Sequence, residues 1–199
     1  MKKKITVINI RDYLVEDNEY KLGEKYLQSI LSEFSCTKNF EVENFLKNNA
    51  IEFTKKHQSV TYLVFSSDEK CFLGYFTLAI KPVSVRKNIL SRTMIRKIKC
   101  ISKYDEKRGT YTFSAYLIAQ LGKNFNCANG ELITGKELLE LAIGKIKELQ
   151  YKAGGTVVFL ETEDNKKLLD FYIQRNNLKQ FACRKTSDHK ELIQLLKLI

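Results

Sequence analysis

VVFLETEDNKKLLDFYIQRNNLKQF, Val157 to Phe181, is the stretch on which the fold turns. Its opening, with Thr156, is a short run apolar on both sides, the pattern of a strand covered on both faces by helices. Asp164 stands where it can cap the helix that follows, and the spacing carries that helix to about Arg175. Asn176 and Asn177 end it, because asparagine tolerates the left-handed backbone. Leu178 to Arg184 is a further strand. Tyr172 lies within the helix, and two readings of it stay open. It is a residue of the packed face, as expected for Leu168 and Leu169, or its hydroxyl faces a substrate.

Working outward, Gly135 to Gln150 is the clearest helix, with Leu138, Leu139, Ala142, Ile143, Ile146 and Leu149 on one face. Before it, YTFSAYLIAQL, Tyr111 to Leu121, reads as a long central strand. Val60 to Phe65 and Cys71 to Ile80 are strands joined by the polar turn SSDEK, a hairpin signal. Lys81 to Val85 extends the second of them, with Pro82 marking an edge or an end. Residues 86–108 are basic, with a helix expected around Asn88 to Ile98. Ile5 to Ile10 suits a first strand. Asn18 to Glu33 and Phe40 to Lys56 suit amphipathic helices, and His189 to Ile199 a closing one. The order predicts one α/β (α+β) domain over residues 1–199. Its mixed sheet has a parallel pair joined by a right-handed crossover.

The chain has 199 residues, 44% of them apolar, enough for a core. It carries 34 basic and 23 acidic residues, a net charge of +11. Such a surface suits polyanions: nucleic acid, an acidic protein or a phosphorylated cofactor. The basic residues are scattered, apart from MKKK at the start and the run Arg86, Lys87, Arg92, Arg96, Lys97, Lys99. Cys36, Cys71, Cys100, Cys127 and Cys183 are odd in number and widely spaced, without a CxxC pair. They indicate neither a disulfide framework nor a zinc site, and reduced thiols in a cytoplasmic protein fit best. His57 and His189 stand alone, which argues against a histidine metal site or a Ser-His-Asp triad. No run is long and apolar enough to span a bilayer, so no membrane role is expected.

The loop between Leu121 and Gly135 connects a strand end to a helix N-terminus, a natural anion site. It reads GKNFNCANGELITG, long for a crossover connection, with Lys123 and Lys136 adding charge.

Together, SAYLIAQLGKN, GELITGKELLELA, VVFLETEDNKKLLDFY and the hairpin LVFSSDEKCFLGYFTLAI resemble the GCN5-related N-acetyltransferase (GNAT) superfamily. The resemblance is densest over residues 111–181. It implies a GNAT-like, mostly antiparallel sheet with one parallel strand pair, flanked by helices. It also implies an N-acetyltransferase that moves an acetyl group from acetyl-CoA to an amine by direct attack, with no metal. Leu117, Ile118 and Ala119 would bind the pantetheine arm and acetyl oxygen through backbone groups. The segment Gly130 to Lys136, with Thr134 and Gly135, would hold the pyrophosphate. Asn165 would bond the pantetheine arm, and Tyr172 would protonate the departing thiolate. Seven residues, two helical turns, separate those two, so they would share a face.

The phosphate loop departs from the family pattern. Gly130 takes the usual Gln/Arg place and Ile133 the first glycine place, which leaves Lys123, Asn124 or Asn129 to compensate. Asn176-Asn177-Leu178 stands for the usual Asn-Gly-Phe. Glu161 is a candidate general base, with Tyr116 and Glu52 no better supported. The acceptor stays open among a metabolite amine, a protein amine and the amino acid on a charged tRNA, with nucleic acid not the favoured partner. The tRNA case would make the chain an acetyltransferase toxin. A GNAT-fold module that binds a partner through a basic surface without catalysis is the rival, and a homodimer is compatible with all of these.

Overall fold

The computed structural model describes residues 4–14, 23–68, 71–126, 132–186 and 189–199. The strands are β1 Ile5–Asn9, β2 Val60–Ser66, β3 Cys71–Arg86, β4 Lys103–Asp105, β5 Thr110–Lys123, β6 Val157–Glu163, β7 Lys179–Lys185 and β8 Glu191–Leu198. The helices are α1 Arg11–Leu14, α2 Gly23–Ser32, α3 Phe40–Asn48, α4 Ala50–Lys55, α5 Arg92–Ile98, α6 Gly135–Ala153 and α7 Lys166–Leu169. A π-helical segment, Asp170–Arg175, continues α7. Strand order in the sheet is β1-β2-β3-β5-β6-β8-β7, with β4 on β5. The β5–β6 pair is parallel, and β1–β2, β2–β3, β4–β5, β6–β8 and β7–β8 are antiparallel. This is the mixed, mostly antiparallel sheet expected from the sequence.

The chain divides into two compact units, Met1–Ala79 with Ala119–Ala142, and Ile80–Ile118 with Ile143–Ile199. In the first, Ile10, Leu27, Leu31, Phe34, Leu46, Leu63 and Tyr75 form the centre of a core. The Tyr75 ring meets Phe34 edge-on at 5.1 Å, and its hydroxyl donates to the Val42 carbonyl at 2.5 Å. Gly74 and Gly122 pack backbone to backbone: a Cβ on Gly74 would lie 2.5 Å from the Gly122 carbonyl oxygen. The expected single helix from Phe40 to Lys56 is two helices, α3 and α4. Asn49 breaks it, a residue that competes for backbone hydrogen bonds and fits helix ends better than interiors. Asn39 caps α3, its side chain accepting from the amides of Glu41 and Val42.

In the second unit, Val83, Val85, Leu90, Ile98, Tyr111, Phe113, Val157, Phe159, Phe181 and Leu196 make the core. β3 runs straight through Pro82. That residue lies past the last β2 pair, Val60↔Leu78, so its missing N–H costs no bond on that side.

The closing segment and the cysteines also depart from the pattern in the sequence. The closing segment is the strand β8. It pairs with β6 from Val157↔Leu198 to Glu163↔Leu192 and with β7 from Lys179↔Leu196 to Lys185↔Glu191. A strand inside a sheet and covered on both faces shows no clean alternation, so its apolar run imitates a helix. Cys71 is disulfide-bonded, whereas Cys36, Cys100 and Cys183 are free thiols. Wide spacing in sequence does not keep cysteines apart in space.

Candidate functional site

The parallel ladder is Tyr116↔Val158, Leu117↔Phe159 and Ile118↔Leu160. Both strands run on past it, β5 to Lys123 and β6 to Glu163. Leu117 and Ile118 therefore sit inside the ladder, and Ala119 is the first residue beyond it. Ile118 is buried, while Leu117 and Ala119 are half-buried.

After β6, Asn165 caps α7, its side-chain oxygen accepting from the Lys167 amide at 2.9 Å. Asp164 was the expected cap. Asn165 takes that place because its extended backbone, φ −123° and ψ 122°, brings its oxygen to the amide two residues on. As the cap, Asn165 keeps its side-chain amide donor for another partner. Asn165 and Tyr172 are not separated by two α-helical turns, because residues 170–175 are π-helical and no longer follow the α period.

Tyr172 lies in that π segment. Neither α7 nor the π segment has a buried residue, and Leu168, expected against the sheet, is 36% exposed. Tyr172 is therefore not among the fully buried residues of its unit. It is half-buried by area, with Phe171 edge-on at 4.9 Å. Burial of its hydroxyl pushes the pKa up to about 12. Among the described residues this hydroxyl has no hydrogen-bond partner. Tyr116, by contrast, spends its hydroxyl on the Gly154 carbonyl at 2.5 Å. The segment is closed by Asn176, whose side chain donates to the Phe171 carbonyl, and by Asn177 at φ 57°.

Glu161 is held by two strands. Its Oε1 accepts from Arg184 Nε at 3.0 Å and Gln194 Nε2 at 2.6 Å, and its Oε2 from Arg184 Nη2 at 2.5 Å. Three of the roughly four lone-pair positions of a carboxylate are then engaged, leaving one on Oε2. Glu52 pairs with Lys55 and Lys56. His57 is bonded to Arg11, Nδ1 to Nη2 at 3.0 Å.

At the head of α6 stands a capping box that the sequence reading did not identify, although Thr134-Gly-Lys-Glu137 spells one. Thr134 Oγ1 accepts from the Glu137 amide at 3.1 Å. Glu137 Oε2 accepts from the Thr134 amide and hydroxyl, both at 2.7 Å. The amides of Gly135 and Lys136 have no acceptor among the described residues, and they head a helix of 19 residues. Lys136 Nζ lies 3.9 Å from Glu140, both largely exposed. Ile133 is buried, and Gly130 and Asn129 lie outside the described residues.

Of the residues that could compensate, Asn124 is committed elsewhere. Its side chain is buried, accepting from the amides of Ser35 and Asn126 and donating to the Phe72 carbonyl, and its own amide donates to Leu73. Lys123 remains, its Nζ 5.8 Å from the centre of the Phe125 ring. Among the described residues no group of three or more His, Cys, Asp and Glu could hold a metal, and no helix is long and apolar enough to cross a membrane.

No protein-family model and no characterised sequence matches the chain. Solved structures do. AtaT complexed with acetyl-methionyl-tRNAfMet is similar at a TM-score of 0.60 and 17% identity, covering 96% of this chain and 94% of AtaT. A tyrosine-to-phenylalanine mutant of KacT gives 0.62 and 15%, covering 98% and 95%. The AtaT mutant toxin bound to the C-terminus of the antitoxin AtaR and acetyl-CoA gives 0.56 and 14%, covering 98% and 93%. The fold is GNAT-like. At these identities the likeness is one of fold, and it extends over nearly the whole chain.

Proposed function

We propose that this chain is an acetyl-CoA-dependent N-acetyltransferase whose acceptor is the amino group of an aminoacyl-tRNA. The observation that carries the enzymatic reading is Tyr172: a half-buried phenol whose hydroxyl has no hydrogen-bond partner among the described residues, on a π segment that follows the parallel pair. The acceptor is supported by the net charge of +11 and by the whole-length likeness to a toxin solved with an acetylated aminoacyl-tRNA.

Bound acetyl-CoA supplies a thioester whose carbonyl carbon an amine attacks, with the CoA thiolate leaving. The residues of this chain then divide the work. Backbone groups at Leu117, Ile118 and Ala119 hold the pantetheine arm and the acetyl oxygen, Ala119 foremost because the other two lie inside the ladder. The amides of Gly135 and Lys136, without an acceptor among the described residues, take pyrophosphate oxygens at the positive end of the α6 dipole, with Gly130 and Thr134 completing that segment. Asn165 offers its free side-chain amide to the pantetheine arm. Tyr172 donates its O–H to the departing sulfur. With a pKa of about 12 it stays protonated throughout the neutral range. An ordinary thiol ionises near 8.5, so full transfer from this phenol is uphill unless the sulfur is desolvated too. Its first contribution is therefore a hydrogen bond that strengthens as charge develops on sulfur. Glu161 is the proposed base, and the incoming proton goes to the open position on Oε2.

The test is thermal unfolding with and without acetyl-CoA, with adenosine diphosphate as control, followed by assay of acetylated aminoacyl-tRNA. At about 100 times its dissociation constant, acetyl-CoA stabilises by about 2.7 kcal/mol. A shift with acetyl-CoA beyond that of the control, together with acetylated product, is expected. No shift at millimolar acetyl-CoA would overturn the enzymatic reading and leave a GNAT-fold binding module.

A further inference from the structure

Positive charge is concentrated in one segment. Residues 80–109 contain ten Lys and Arg against two Asp and Glu, a net of +8 in a chain of +11. All ten cations are exposed. Among the described residues only Arg108 has a carboxylate nearby, Asp105 at 3.9 Å, with the Arg108 side chain 83% exposed. A pair so long and so wet neutralises little. The apolar residues of the same segment do the opposite. Val83, Val85, Leu90 and Ile98 are buried in the core of their unit, with Ile89, Met94 and Ile95 packed against it. The segment is anchored from below and presents cations above.

Three of those cations, Arg86, Lys87 and Arg108, line an open cavity of about 620 Å³ together with Asn88, Ile95 and Tyr104. That size suits a nucleotide-scale ligand. The Lys87 amide closes the cavity's loop by donating to the Gly109 carbonyl at 2.9 Å. Tyr104 gives it an aromatic surface: its ring packs on buried Tyr111, centroids 4.6 Å apart, yet the residue stays 38% exposed. Lys87 Nζ lies 5.7 Å from the same ring. Three cations beside a supported aromatic ring are what a flexible nucleic-acid strand requires. Phosphates meet the charges, and an unpaired base stacks on the ring.

We propose that this cavity docks RNA, seating backbone phosphate among Arg86, Lys87 and Arg108 and stacking an unpaired base on Tyr104. The proposal rests on the acetyltransferase reading only for the RNA being tRNA, and it gives that substrate a hold separate from the reacting groups. Duplex DNA keeps its bases stacked inside and would use the charges alone. An acidic protein would use neither the spacing of phosphates nor a stacking platform.

The experiment measures binding of deacylated tRNA to the full-length protein over a series of salt concentrations. Duplex DNA and polyglutamate serve as competitors. Replacing Arg86, Lys87 and Arg108 by alanine is expected to weaken tRNA binding at least tenfold. It should also lower the slope of log affinity against log salt by about two to three. A control with Lys25, Lys56 and Lys152 replaced removes equal charge elsewhere, and it should retain most of the affinity. Tyr104→Ala is expected to cost roughly tenfold, and Tyr104→Phe to restore it. Equal losses in the two triple variants, or competition by duplex DNA or polyglutamate as strong as that by tRNA, would overturn the proposal. Acetyl-CoA stabilisation is read on the same preparations and should not change. If the wild type lacks that stabilisation but binds tRNA through these residues, the enzymatic reading falls and the docking site stands. The reverse pattern removes the docking site alone.

Discussion

Tyr172 and Asn124 show how one residue's commitments decide its role. The Tyr172 hydroxyl has no hydrogen-bond partner among the described residues, so losing it should cost the fold little and the reaction much. Tyr172→Phe is expected to lower turnover by roughly ten- to a thousandfold, with acetyl-CoA affinity held. Unchanged turnover under single-turnover conditions would remove the hydroxyl from the mechanism. Asn124 is the opposite case. Its buried side chain joins the end of α2, β3 and the end of β5 through the contacts to Ser35 and Phe72. Asn124→Ala leaves a buried amide and carbonyl unmatched, so a loss of about 2–4 kcal/mol is expected, read by denaturant unfolding. A loss under about 0.5 kcal/mol would mean that water replaces the side chain. Neither commitment is legible in sequence, where Asn124 is one more polar residue in a polar loop.

Elements differ in how much of themselves the sequence discloses. β5 and α6 are long and periodic, and both stand within a few residues of where the pattern puts them. The hairpin β2–β3 is marked by its polar turn. At β8 the pattern fails because partners distant in sequence override it. β8 is a strand because β6 and β7 offer their edges to it, and nothing within Glu191–Leu198 reveals that. Leu195, fully buried there, should cost about 2–5 kcal/mol on truncation to alanine. A value near zero would mean that this strand is not part of the folded core. The π segment is hidden for another reason, since its sequence reads as an ordinary helix until the backbone is seen. At the head of α6 the cap was readable, and it carries a double consequence. Thr134→Ala should lower stability by about 1 kcal/mol. It should also weaken acetyl-CoA binding, because the cap fixes the Gly135 and Lys136 amides. Loss of stability with unchanged affinity would detach this helix end from the cofactor.

At the scale of the molecule, most of the sheet and the basic run from Arg86 were legible, and the burial of particular phenols was not. Burial raises the pKa of Tyr75 well above the usual 10 and that of Tyr172 to about 12. In the unfolded chain both ionise near 10. The folded state therefore holds protons that the unfolded state has released once the pH passes 10. Stability contributed by keeping these phenols neutral is complete below about pH 10. It falls as the pH rises through the folded values, by at most about 1.4 kcal/mol per pH unit for each group. Lysines lose their charge over a similar range, which relieves repulsion in a chain of +11 and acts in the other direction. Melting temperature alone would mix the two effects, whereas phenolate absorbance followed alongside circular dichroism separates them. Some of the ten tyrosines should ionise with the fold intact, and Tyr75 and Tyr172 only as the dichroism is lost. Tyr172→Phe should remove one phenolate from that late phase. Ionisation of all the tyrosines near pH 10 in a folded protein would show that water reaches both hydroxyls. The desolvation on which Tyr172's assigned role depends would then be absent.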